Sequence, residues 1–461
     1  MDNISNLNHV TVKTDSDASI FVLNRGSLIS SEAEAMLQAL HSRSTSGFLG
    51  HLKILNEKGS DKFMSTFYVG YGHKSIGDCG TCVLFIENIS MLAAKAVQDW
   101  PLYRGQEAST RYIDFSNQKF YSPNNTKEET ELLEYTRDFY IEFLPKVEEY
   151  LKNKHPLKEN EKPKTWAKAI KARAFDVCRG FLPAGATTNI AWSTDLRQAS
   201  DKLVELRHHP LKEVREIAEG VEKALIKAYP NSFHHKKYEE TENYVNDYMK
   251  TSLHSFEDKN NYTDSYLKFE TDGFNIKSLL NNQTDLDVIK NRPKFAELPR
   301  NFRLYGTFNI EFTLDFGSYR DLQRHRAVYM PLPELNTNNF EGWYLNILNE
   351  ELKTEASAFL SSYEEKLNQI SISNSDKQYL TLMGYQVSVA INGDLKALLY
   401  LLELRASRHV HSTLRQRVFL VSQKLKKYFQ DNGINLNMHL DSEDIDFDTK
   451  RGEHDIVINN S

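Results

Sequence analysis

Apolar and polar positions change their period several times along the chain. Phe308-x-Ile310-x-Phe312-x-Leu314 alternates, which predicts a strand with one buried face. Leu203-Val-Glu-Leu-Arg207 and Leu401-Leu-Glu-Leu-Arg405 set apolar residues at three- and four-residue steps, which predicts helices. Residues 129–152 and 342–368 also read as helical. Pro210 suits the first turn of a further helix over 211–228, with Glu213 early in it. The run Cys82-Val-Leu-Phe-Ile-Glu87 fits either a strand or a buried helix.

These elements recur in the same order. Gly80-Thr81 and Gly306-Thr307 each open an apolar run, followed by an arginine-containing segment and a helical stretch. Arg179-x-x-Leu182-Pro183 precedes Arg207 by 28 positions, and Lys377-x-x-Leu380-Thr381 precedes Arg405 by 28. Matched landmarks at equal separation indicate an internal duplication. The fold class expected is α/β (α+β), two tandem copies of one unit with long helices packed on antiparallel sheets. The expected division is a first repeat over 1–237, a linker with short helices over 238–295, and a second repeat over 296–461. Residues 238–261 are rich in Glu, Asp, Asn and Tyr and weakly periodic, which suits a linker.

Composition narrows the function classes. With 461 residues, 40% hydrophobic and 26% charged, the chain has a soluble protein's balance and no apolar run long enough to span a membrane. The polar N-terminus lacks the features of a signal peptide. A net charge of −6 argues against a general nucleic-acid binder while leaving room for a local phosphate pocket. The three cysteines, Cys79, Cys82 and Cys178, imply free thiols and a reducing, cytoplasmic compartment. Cys79 and Cys82 have C-x-x-C spacing, but no second ligand pair follows, so no metal site is expected.

Four constellations carry candidate chemistry. In Gln106-Glu107-Ala108-Ser109-Thr110-Arg111-Tyr112, an extended backbone would project Glu107, Ser109 and Arg111 from one face, a set suited to a polar ligand with an anionic end. The bland reading is a solvated strand with a Glu–Arg pair. Arg324-His325-Arg326 favours a polyanion, with a basic surface turn as the alternative. Arg179 and Arg405 end apolar helical stretches, where arginine usually snorkels to the surface. Gly72-His73-Lys74-Ser75 offers close backbone approach and a ring nitrogen, or simply a turn.

Together these residues resemble the flavin-dependent thymidylate synthase family, whose members carry G-H-x-[ST], then R-H-R-x(7)-E-x-S-x-R-Y, then R-x-x-L-P, then L-R in a long helix. The first half retains Gly72-His73-x-Ser75, Glu107-x-Ser109-x-Arg111-Tyr112 and Arg179-x-x-Leu182-Pro183; the second retains Arg324-His325-Arg326 and Leu404-Arg405. Where R-H-R belongs, the first half has Gln98-Asp-Trp-Pro-Leu-Tyr-Arg104, and the second half lacks E-x-S-x-R-Y. Asp78-Cys79 stands where the family often has Glu-His, and Tyr400 replaces a flavin-contacting Asn.

The resemblance implies one composite site per chain that turns dUMP into dTMP, using FAD, NADPH and methylenetetrahydrofolate. It implies catalytic roles for Ser109, Arg111 and Arg179. Glu107, Ser109, Arg111, Arg179 and Arg405 would bind nucleotide; His73, Ser75, Arg324, His325, Arg326 and Asn392 would bind flavin. A homodimer would stand in for the family's tetramer. C5 modification of another pyrimidine nucleotide, or a non-catalytic nucleotide- or flavin-binding pseudo-enzyme, are the competing readings.

Overall fold

The computed structural model describes residues 9–23, 29–42, 44, 47–110, 113–252, 266–442 and 447–449. The chain is a mixed α/β protein with antiparallel sheets, and it separates into two compact units: 1–123 with 185–255, and 124–184 with 256–461. The first half of the sequence therefore contributes to both.

The first unit holds a five-stranded sheet in the order β1-β2-β3-β5-β4. Its strands are His9–Lys13 (β1), Ser19–Leu23 (β2), Thr81–Ser90 (β3), Arg104–Glu107 (β4) and Thr187–Asp195 (β5). The apolar run at Cys82 is a strand: Cys82, Leu84 and Ile86 are fully buried and alternate with more accessible residues. The helix Lys212–Ala228 covers β1 and β2, and Gly220 lets it approach, since a Cβ there would lie 2.6 Å from Ile20.

The second unit holds a three-stranded sheet in the order β6-β7-β8, formed by Leu267–Glu270 (β6), Thr307–Asp315 (β7) and Gln386–Asp394 (β8). The segment expected to be a linker thus supplies an edge strand as well as the helix Glu239–Ser252 of the first unit. The helices Lys127–Lys154 and Glu350–Gln369 pack together in this unit through Phe139 and Phe359, whose rings stack 3.8 Å apart. The helix read over 342–368 is broken. Trp343–Asn346 ends, and Asn349 then caps Glu350–Gln369 by accepting from the Leu352 N–H.

From β3 and from β7 the chain runs in a similar order, strand, helix, long helix, helix, strand, helix, with β4 interposed after the first helix in the first case and the short helix Trp343–Asn346 in the second. Asp195 caps the helix after β5 through Gln198 N–H, and Asp394 caps the helix after β8 through Ala397 N–H. Ala184 N–H donates to Thr381 and Met383 N–H donates to Leu182, reciprocal bonds flanking the Pro183–Leu382 bridge. Caps and bonds both pair Leu182 with Thr381, an offset one residue longer than the 28-residue landmarks suggest. The equivalent of Arg179 is therefore Gln378, not Lys377, and Arg405 corresponds to Leu206.

Candidate functional site

The second unit gathers an arginine–carboxylate cluster at the foot of β7. Asp315 ends that strand and caps the helix Phe316–Leu322 through Ser318 N–H at 2.9 Å. Fully buried, it also accepts from Tyr344 Oη at 2.8 Å and Thr413 Oγ1 at 2.5 Å. Buried carboxylates need such partners because an unpaired charge away from water is costly.

Arg179 enters this cluster from the end of the helix Pro163–Cys178. It does not snorkel: it is 7% exposed, donates to Ser318 Oγ at 2.8 Å and to Asp321 Oδ2 at 3.2 Å, and lies 4.0 Å from Asp315. Burial alone would weaken its charge, but the surrounding Tyr344, Asp321, Asp315 and Asp176 raise its pKa above the usual arginine value. Gly317 eases the approach, because a Cβ there would stand a tight 3.3 Å from Arg179 Nε and 3.2 Å from Asp315 Oδ2.

Asp321 joins Arg179 to the R-H-R turn. Burial would raise its pKa, yet Arg179, Arg324, Arg405 and Arg320 override that and hold it well below the usual carboxylate range. Arg324 is exposed, His325 buried and Arg326 half-buried, so the segment is a turn with its central ring turned inward. Arg405 closes the cluster: its Nε donates to His325 Nε2 at 2.7 Å and its Nη2 to the Asp321 carbonyl at 2.6 Å. Burial, then the charges of Arg405, Arg324 and Arg326, push the His325 pKa down to about 3. Its ring lies edge-on to Tyr400 at 5.9 Å.

The remaining candidates lie on other elements. In the first unit, β4 stops at Glu107, and Ser109 lies just beyond the strand, half-buried. Arg111 lies outside the described residues. Glu107 is an internal partner: its carboxylate sits 2.5 Å from Lys95 Nζ, both side chains almost fully buried, and accepts from Gln98 Nε2 at 3.0 Å. His73 and Ser75 are exposed, and Lys74 between them pairs with Asp201 at 3.1 Å. In the second unit, Asn392 belongs to β8, where its amide donates to Thr307 and Asn309 of β7.

Sequence reasoning missed Asp315, Ser318, Tyr344, His411 and Thr413. Asp315 had a signal, as the N-cap preceding a helix; His411 and Thr413 had none. His411 is buried, its Nδ1 facing Thr413 Oγ1 at 2.8 Å and its Nε2 donating to the Asp176 carbonyl at 3.1 Å. Burial first, then Arg179, depress its pKa well below the ordinary value. Among the described residues no group of three or more His, Cys, Asp or Glu side chains could hold a metal ion. The three cysteines are free thiols.

Fold and site together define a duplicated α/β protein with a basic cluster built around a helix-start carboxylate. Residues 11–231 match the family described as thymidylate synthase complementing protein. It is also similar to UPF0159 proteins of Chlamydia pneumoniae (23% identical, covering 78% of this chain and 77% of that one) and Thermoplasma acidophilum (21%, covering 88% and 93%). A Chlamydia muridarum protein of the same name is 23% identical over 75% of each chain. These matches cover three quarters or more of the chain, whereas the family match ends at residue 231. Among the described residues no helix is long and apolar enough to cross a membrane.

Proposed function

We propose that the chain is a flavin-dependent enzyme of the thymidylate synthase type that reductively methylates dUMP at C5. The carbon would come from methylenetetrahydrofolate and the reducing equivalents from NADPH. The observation that carries this reading is the bond from Arg405 to His325, which joins two motifs 80 residues apart in one basic cluster with Arg179.

The donor set fits an anionic nucleotide cofactor and substrate. Arg179, Arg320, Arg324 and Arg405 all act on Asp321, while Asp315 and Asp176 also lie near Arg179, and guanidinium forks match phosphate oxygens bidentately. FAD, when bound, would supply the hydride chemistry. Arg324, His325 and Arg326 would hold it, with His73, Ser75 and Asn392 assigned to it on the family resemblance. A neutral His325 can pack against a ring without adding charge. Glu107, Ser109, Arg111, Arg179 and Arg405 would position dUMP. Arg111 and Arg179 would stabilise negative charge developing on a uracil oxygen, and Ser109 would anchor the same nucleotide. On the same reading the duplicated chain works as a homodimer.

A specific observation favours a second reading. Glu107 is closed onto Lys95, and Arg179 onto Asp321 and Ser318, so each is engaged within the chain. On that reading the protein binds nucleotide or flavin without turnover. The deciding experiment is the visible spectrum of the purified protein before and after dUMP, followed by tritium release from C5-labelled dUMP with methylenetetrahydrofolate and NADPH. Flavin bands displaced by dUMP, with tritium released, support the enzyme. Ligand binding without release supports the second reading, a colourless protein that takes up no FAD overturns the enzyme, and one that binds neither FAD nor dUMP overturns both.

A further inference from the structure

Two carboxylates of unlike character face Arg179. Asp315 is fully buried and fixed by three hydrogen bonds, from the Ser318 N–H, Tyr344 and Thr413. Asp321 is the more accessible of the pair it forms with Arg179: its side chain is 33% exposed, against 8% for the arginine. A ligand arriving from solvent therefore meets this acid before the guanidinium.

The hold of Asp321 is also slight. Its Oδ2 alone accepts from Arg179 Nη1, at 3.2 Å, whereas charge-assisted bonds close to about 2.7–2.9 Å and full guanidinium–carboxylate contacts are bidentate. Pairs elsewhere in the chain show the closed form. Lys95 and Glu107 lie 2.5 Å apart with side chains 1% and 3% exposed, and Arg292 donates to both oxygens of Glu403. What is clamped at Asp321 is the main chain, whose carbonyl accepts from Arg405 Nη2 at 2.6 Å. Rotation of the side chain is the motion left to it.

We propose that the Asp321 carboxylate is a latch on Arg179, displaced when an anionic oxygen of a phosphate-bearing ligand takes the guanidinium. The inference rests on the reading of this cluster as a nucleotide site, and it adds the residue that a nucleotide must displace. Opening the latch strands no charge. Asp315, 4.0 Å from Arg179, still balances the buried guanidinium, and the exposed Arg324, which already acts on Asp321, can take the released carboxylate. A phosphate brings three oxygens and close to two negative charges to donors that Asp321 meets with one oxygen. An uncharged ligand brings nothing to exchange for the ion pair. Asp321 thus makes the site discriminate between a nucleotide and its nucleoside.

Calorimetry on the full chain with dUMP, pyrophosphate and deoxyuridine tests it. Asp321→Asn keeps the shape and one accepting oxygen but removes the charge. It should tighten a phosphate-bearing ligand about tenfold, the order of one hydrogen bond to a charged group, and leave deoxyuridine unaffected. A gain for dUMP assigns the displacing phosphate to the substrate, and a gain for pyrophosphate alone assigns it to a dinucleotide cofactor. A latch acts only through the residue it closes, so Asp321→Asn should gain nothing in an Arg179→Gln background. A gain that persists there makes Asp321 a distant repulsive charge and overturns the inference, as does an equal gain for deoxyuridine. Equal binding of dUMP and pyrophosphate to the unaltered and Asp321→Asn chains overturns the latch and leaves the nucleotide site standing, whereas no binding of any ligand to either chain overturns both. Should the Arg179→Gln chains fail to fold, a crystal structure of the unaltered chain with pyrophosphate decides. Asp321 Oδ2 should have left Arg179 Nη1, and bound pyrophosphate with that pair intact overturns the inference.

Discussion

Arg405 Nε donates to His325 Nε2, and this bond fixes the histidine's chemistry. An arginine only donates, so Nε2 must be the accepting, unprotonated nitrogen and the ring proton must sit on Nδ1. The ring is neutral although it lies between two arginines in sequence. A protonated His325 would oppose Arg405 directly and lose the bond that orders both side chains.

Acid should therefore unfold the protein through its histidines. His325 and His209 are each pushed down to about 3, His209 by burial and then by Lys202 and Arg215, and His411 lies well below its ordinary value. Each folded pKa is below the unfolded one, so their contribution is complete above the unfolded value and is lost as pH falls toward the folded value. Denaturant titrations from about pH 7 down to about pH 4 should show stability falling by up to ~1.4 kcal/mol per pH unit for each histidine. His325→Gln should remove one histidine's share of that slope. An unchanged slope would mean that the ring is already protonated in the folded chain.

Arg179 should be as much a structural residue as a binding one. Arg179→Met leaves Asp315 and Asp321 facing each other without their common cation, a change worth roughly 3–5 kcal/mol when a buried pair is broken. Arg179→Lys keeps the charge but cannot reach Ser318 and Asp321 together, and should cost about 1–2 kcal/mol. Thermal melts of both variants check the ranking. Equal stabilities would show that the charge, and not the fork, is what the cluster requires.

Glu107 makes a different test, because its partner is known. Either Glu107→Gln or Lys95→Met alone should destabilise the first unit by about 3–5 kcal/mol, while the double variant should lose less than the two single losses combined. The dUMP affinity of the double variant separates the roles. If Glu107 serves only Lys95, affinity survives once the pair is replaced together; if it binds the nucleotide, affinity falls in every variant that lacks the carboxylate.

Much of the architecture was legible because it depends on period and local chemistry. The alternation from Phe308 to Leu314 is β7, and the runs ending at Arg207 and Arg405 are the helices that follow β5 and β8. The R-H-R and L-R motifs could be found as motifs. Their mutual contact could not, since the Arg405–His325 bond spans 80 residues and depends on how the helix after β8 packs. Glu107 illustrates the opposite failure: the sequence displays its polar neighbours, while the lysine that holds it sits on the helix Met91–Gln98, masked among apolar residues. Burial of Arg179 was likewise hidden, because nothing local to Arg179 announces Asp315.

The register of the duplication yields the sharpest local test. Equal 28-residue spacings align Lys377 with Arg179, whereas the caps and the reciprocal bonds around Pro183 and Leu382 align Gln378 with it. Gln378 is buried and its Oε1 accepts from the Leu335 N–H at 3.0 Å; Lys377, one position earlier, is half-exposed. Gln378→Ala strands a buried backbone donor and should cost about 1–3 kcal/mol. Lys377→Ala alters only a partly solvated chain and should stay within about 0.5 kcal/mol of the unaltered protein. Chemical denaturation of the two variants compares them directly. A larger loss at Lys377 would restore the spacing-based alignment, and a loss confined to Gln378 would establish that the second repeat carries a neutral amide where the first carries the Arg179 guanidinium.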